Sequence, residues 1–326
     1  MMVPKKITKM KNKEQTTKKI ISKNNIIKVI GIVLAVIILW YMVKAFVSNW
    51  SQIQPYLANI KPVWFVLSVV LYAITFLMTG NNWSYLLHQM DESATQTEYL
   101  NIHMVSALAR YIPGGIWNIV GKAYMCTQKN VDKGATTVSM VLEYVFQIVS
   151  SALFLLFFVP VALRKYLGNV GVVLVFVFVI FAIFIMPYVI NIGIKVVAKI
   201  MKCDYETIHL EKKYIYKVLL RYVMVWLITG ISVIMLAYSF TEITPLQGVY
   251  LMLSYPISWV VGFLSPSPNG MGVREGVFGI LLGSSYQSEL ILLITLTSRI
   301  WTIIGEIVAF ISFKIYFLIY KRGTKL

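Results

Sequence analysis

Acidic residues are scarce in this sequence: 13 Asp and Glu stand against 30 Lys and Arg, and charged residues make up only 13% of the 326. A soluble domain carries about 25% charge and about 45–50% apolar residues. This chain is 58% hydrophobic with a mean hydropathy of +0.74, so it lacks the polar surface that water would demand. The bilayer is its expected solvent. Cysteine is nearly missing too: Cys126 and Cys203 both fall in segments expected on the cytoplasmic side, which excludes a disulfide framework. The histidines His88, His103 and His209 are scattered, and no phosphate loop, HExxH or GxSxG occurs. ATP hydrolysis, catalytic zinc and a serine nucleophile are thereby excluded, and no cofactor or metal is expected.

Base is abundant and unevenly placed. Lys5, Lys6, Lys9, Lys11, Lys13, Lys18, Lys19, Lys23 and Lys28 precede the end of the first apolar run, with Glu14 the only acid among them. Residues 1–25 therefore read as a cytoplasmic leader drawn to anionic lipid, and not as a nucleic-acid contact. Apolar runs at Ile26–Val47, Pro62–Gly80, Ala135–Leu163, Val170–Val197, Val218–Phe240 and Leu290–Ile319 predict six crossings. The first is about 22 residues, or roughly 33 Å as a helix, with no small-x-small site after it, so it reads as a retained signal anchor. The expected organisation is one membrane domain over 26–320 and a basic tail over 321–326.

Six crossings put Lys122, Lys129 and Lys133, then Lys195 to Lys217, then Lys321, Arg322 and Lys325 on the cytoplasmic side, as the excess of base in cytoplasmic loops requires. Only Arg164–Lys165 falls on the wrong side. The expected location is the cell (inner) membrane with both termini cytoplasmic. Trp40, Tyr41, Trp64 and Trp83, at span ends, read as interface anchors.

Two more apolar stretches, about Tyr99–Ala123 and Gln247–Leu282, are interrupted by Pro and Gly. Each is expected to be a broken, re-entrant helix, because non-helical backbone at membrane depth is tolerated only inside protein or beside a wet cavity. The fold class is thus all-α: a polytopic bundle with two broken segments, related as an inverted repeat if they enter from opposite faces. In the first, Arg110 precedes the turn Pro113, Gly114, Gly115. In the second, Pro268, Gly270 and Gly272 precede Arg274 and Glu275. Helix ends at such turns aim free N–H groups and a positive dipole into the cavity, and an adjacent arginine adds a bidentate fork. Both breaks therefore read as binding sites for an anion, with phosphate the best match, and Glu275 could hold the Arg274 fork in place or bind a cation.

Isolated charges within spans extend this set: Glu143 with Gln147 one turn on, and Arg299 with Glu306 two turns on. Each costs several kcal/mol unless paired or wet, so they read as an intramembrane polar path, or as struts pairing with Arg110 or with one another.

The stretches RYIPGG at Arg110–Gly115 and PSPNGMGVREG at Pro266–Gly276, with the Arg299 to Glu306 span, resemble the lysylphosphatidylglycerol synthase transmembrane, or flippase-like, family over about Ile26–Ile319. Pro-Asn-Gly stands where the family has Pro-Gly-Gly, which keeps the turn. The resemblance implies a bundle with re-entrant helices that, in larger relatives, moves aminoacylated phospholipid ahead of a soluble aminoacyltransferase domain. No such domain is expected here. The expected function is translocation of a phospholipid or polyprenyl-phosphate-linked lipid without ATP, with a lipid aminoacyltransferase or glycosyltransferase as partner. The alternatives are a membrane-embedded lipid transferase using Glu143, Glu275 or Glu306 as base, and a non-catalytic scaffold for a glycosyltransferase.

Overall fold

The computed structural model describes residues 50–323 except 112–116, 202–209, 266–269, 271 and 284–285, together with Trp40, Lys44, Val47 and Ser48. The expected leader, almost all of the Ile26–Val47 run, Tyr41, Cys203, His209, Pro113, Gly114, Gly115 and Pro268 lie outside the described residues.

Every regular element among the described residues is a helix. Helix α1 spans Trp50–Ala58, α2 Pro62–His88, α3 Gln96–Ala107, α4 Trp117–Thr127, α5 Lys133–Met201, α6 Lys212–Tyr238, α7 Pro245–Leu264, α8 Val273–Leu282 and α9 Ser288–Gly323. Their starts follow from local chemistry. Pro62 and Pro245 open α2 and α7, where a missing N–H costs nothing. Thr95 and Thr244 close capping boxes with Glu98 and Gln247, each satisfying two backbone donors reciprocally. Helix α5 breaks at Gly168 (φ 61°) into two legs.

Among the described residues six helical stretches are long and apolar enough to cross a membrane: Pro62–His88, Lys133–Phe154, Gly168–Ile200, Lys212–Tyr238, Pro245–Leu264 and Ser288–Tyr320. Five coincide with predicted runs. The sixth, α7, adds a crossing within the Gln247–Leu282 stretch, which was expected only as a broken segment: the helix passes through buried Pro256 and stops after Leu264, where the Pro- and Gly-rich interruption begins. Pro256 removes one internal hydrogen bond, which packing against α5, α6 and α8 offsets.

Helix α2 is the spine, packed along α6, α9 and α3. Trp83, Leu86, Tyr99, Phe146 and Tyr222 fill one core cluster, and Trp226, Leu251, Leu293 and Trp301 a second. The second leg of α5 is the opposite case: Val170, Phe178, Phe181, Phe184 and Ile192 are all exposed. An apolar surface of that extent is stable against lipid chains and not against water.

Candidate functional site

The second break begins where α7 meets its own continuation. A Cβ on Gly270 (φ +65°) would lie 2.8 Å from the Gly262 backbone, and one on Gly262 would lie 2.9 Å from the Arg274 Cβ. Only glycine at both positions lets the chain turn back this tightly against the end of α7. Gly272 then caps α8, and its N–H donates to Glu275 Oε2 at 2.7 Å.

The other oxygen of Glu275 accepts from Arg299 Nε of α9. This corrects one expectation: Glu275 holds Arg299 and not the neighbouring Arg274. Successive helix residues point about 100° apart, so Glu275 faces α9 while Arg274 faces α7. There the Arg274 guanidinium lies 4.5 Å from the Tyr255 ring centroid, and it makes no ion pair among the described residues. Arg299 Nη2 and Trp301 Nε1 are buried without a hydrogen-bond partner among the described residues. Trp301 joins Tyr255 to Tyr72, with ring centroids at 6.0 and 4.4 Å.

The first break is tied to the same helix. Arg110, in the 3-10 turn Leu108–Tyr111 after α3, donates through Nε to the Ala107 carbonyl at 3.0 Å and through Nη1 to Glu306 Oε1 at 3.1 Å. Its guanidinium lies 5.2 Å from the Phe76 ring. Arg299 and Glu306 are seven residues apart on one face of α9, about 10 Å along its axis, and they pair with the two breaks, not with one another. Tyr72 of α2 contacts the Trp301 ring and lies against Gly305 of α9, between Arg299 and Glu306, and Phe76 one turn on lies under Arg110, so both breaks meet beside α2 and α9.

A second cluster adjoins it. Glu143 of α5 forms an ion pair with Lys122 of α4, and its other oxygen stands 3.5 Å from His103 Nδ1 of α3. Two expectations are corrected here. Lys122 was counted as a cytoplasmic loop base, yet it is buried, its ammonium 4.3 Å from the Trp83 ring centroid. Trp83, expected at the interface, is fully enclosed. His103, read from sequence only as one of three dispersed histidines, is the third member of this cluster. The overlooked signal was position: Lys122 and His103 fall inside the apolar stretch Tyr99–Ala123 and not beyond its end. Gln147 is partly buried, and its backbone carbonyl accepts from Trp226 Nε1 at 3.1 Å.

The two breaks and the Glu143 cluster thus bring together four cations, Arg110, Lys122, Arg274 and Arg299, and three carboxylates, Glu143, Glu275 and Glu306. With its unmatched donors, the region can receive an anion better than it can generate a base.

Long apolar crossings around buried ion pairs define a multi-spanning helical membrane protein with a polar intramembrane site. Residues 28–309 match the family described as the Lysylphosphatidylglycerol synthase TM region, and the chain belongs to that family. No curated protein and no solved structure matches it.

Proposed function

We infer that the protein moves a lipid with an anionic phosphate headgroup between leaflets without hydrolysing ATP. The observation that carries this reading is the surplus of donors at the second break: Arg274 without a described carboxylate, beside the unmatched Arg299 Nη2 and Trp301 Nε1. Guanidinium and indole N–H groups only donate, and a phosphate oxygen is the acceptor that would satisfy several of them at once. Arg110 would receive the same headgroup at the first break. The two breaks act as re-entrant segments from opposite faces in this reading, with α9 as the common strut. The basic residues of 1–25 and 321–326 face the cytoplasm, and a lipid aminoacyltransferase or glycosyltransferase partner supplies or consumes the lipid.

The test is headgroup accessibility in proteoliposomes carrying fluorescent phospholipid or polyprenyl-phosphate analogues, with native protein, Arg274→Ala and empty vesicles compared. Movement by native protein that falls at least tenfold in Arg274→Ala, about 1.4 kcal/mol of lost stabilisation, supports translocation and names the lipid class. Folded native protein that moves no lipid faster than empty vesicles refutes it and leaves the scaffold or transferase role.

A further inference from the structure

His103, Lys122 and Glu143 are 2%, 4% and 3% exposed, too enclosed for bulk water to neutralise their charges. The imidazole is held between Phe76 and Trp83, with ring centroids at 6.1 and 5.8 Å, and it fills a notch at Gly80, where a Cβ would lie 2.9 Å from the ring. Neither ring nitrogen has a hydrogen-bond partner among the described residues. One carboxylate therefore faces two bases. The Lys122 ammonium already matches the single charge of Glu143, and the neutral imidazole beside them keeps an unused lone pair.

A proton added to that lone pair would leave the cluster with one net positive charge, which an apolar surround opposes unless an anion comes close. The route by which an anion could come close is Arg110. Its guanidinium lies 5.2 Å from the centroid of the Phe76 ring, whose centroid is 6.1 Å from that of the imidazole, and its side chain is 28% exposed while it also holds Glu306. The other titratable groups around the cluster are Cys126 on α4, Tyr144 on α5 and Tyr222 on α6, none of which is charged at neutral pH. Helix α2 brings the rings of Phe76 and Trp83 and the notch at Gly80. From α9, Glu306 acts through Arg110, and Lys314 is engaged with Asn101.

We propose that His103, Glu143 and Lys122 form a proton-binding site that takes up one proton when an anionic headgroup reaches Arg110, which couples movement of the lipid to movement of a proton. The proposal rests on the headgroup reading above. The proton comes from water, binds the imidazole lone pair without changing any other bond, and returns to water when the headgroup leaves. The negative headgroup offsets the new positive charge, so each ligand tightens the other by the same factor. With one proton taken up per headgroup, affinity rises about tenfold for each unit fall in pH across the range where His103 is neutral in the unliganded protein.

The test uses the full chain in detergent and dihexanoylphosphatidylglycerol as probe, a phosphodiester whose headgroup, unlike a phosphomonoester, does not itself titrate near neutral pH, with calorimetry at one pH in two buffers of different protonation heat. The native protein should show a buffer-dependent heat equivalent to one proton per lipid, and His103→Gln should bind with no such dependence. Histidine carbon resonances provide a second measurement that does not need that variant. The chain has three histidines, so His88→Gln and His209→Gln identify the His103 signal by elimination, and it should become imidazolium on adding lipid. Lipid that binds with equal heats in both buffers and leaves His103 unmoved overturns the proton site while the headgroup reading stands. No binding at any pH overturns both.

Discussion

Glu306 receives the Arg110 guanidinium at 3.1 Å across 196 residues of sequence, and by that one bond the turn after α3 is anchored to the middle of α9. Seven residues earlier on the same face, Arg299 anchors the turn before α8 through Glu275. One helix thus fixes both interruptions of the membrane domain, so displacement of α9 would move both together.

Glu306→Gln should destabilise the protein by about 3 kcal/mol, because it leaves the partly buried Arg110 without its carboxylate, the costlier way to break such a pair. Removing both charges, in Arg110→Met/Glu306→Leu, should recover much of that loss while abolishing headgroup binding. Thermal unfolding in detergent measures the first effect and short-chain lipid titration the second. Equal stability of the single and double variants would show that the pair is not a structural anchor.

Arg274→Lys should weaken binding of a short-chain lipid phosphate nearly as much as Arg274→Ala, tenfold or more, since an ammonium cannot offer the planar bidentate fork. Both variants should keep native thermal stability to within about 1 kcal/mol, because Arg274 has no ion pair among the described residues to lose. A titration in which lysine restores full affinity would reduce the site to a point charge.

Gly270→Ala should cost about 1–3 kcal/mol, through its positive φ and the 2.8 Å approach to the Gly262 backbone. Gly262→Ala presses instead on the Cβ of Arg274, so its expected signature is reduced headgroup affinity with a smaller loss of stability. Comparing melting temperature with affinity for the two variants separates the turn from the arginine it positions.

Outside the spans, the hydrogen bond from Lys129 at 2.6 Å, followed by the Thr95 backbone N–H, holds the Glu98 carboxyl below its usual range. A depressed carboxylate adds stability above its unfolded value near pH ~4.3, and that stability is lost as pH falls through the lower folded value. Lys129→Gln should therefore shift the acid limb of the stability profile to higher pH, measured by unfolding between neutral and acid conditions. An unmoved limb would show that Thr95 alone maintains the capping box.

Sequence alone determined that this is a helical membrane protein, where five of its crossings lie, and which two stretches interrupt them. These properties depend on length, hydropathy and turn residues, which are local and independent of what packs against them. Arg110, Arg274, Glu275, Glu143, Arg299 and Glu306 were visible for the same reason: a charge in an apolar run is conspicuous by itself. Only the tertiary structure decided the pairing. Glu275 could have met Arg274 or Arg299, and Glu306 could have met Arg299 or Arg110; the rotation of α8 and the face of α9 chose between them. Lys122 and His103 escaped sequence reading because a lysine near a basic loop and a lone histidine look the same whether buried or exposed. It was the packing of α3 and α4 against Trp83 and Glu143 that removed water from both side chains and brought them together at one carboxylate.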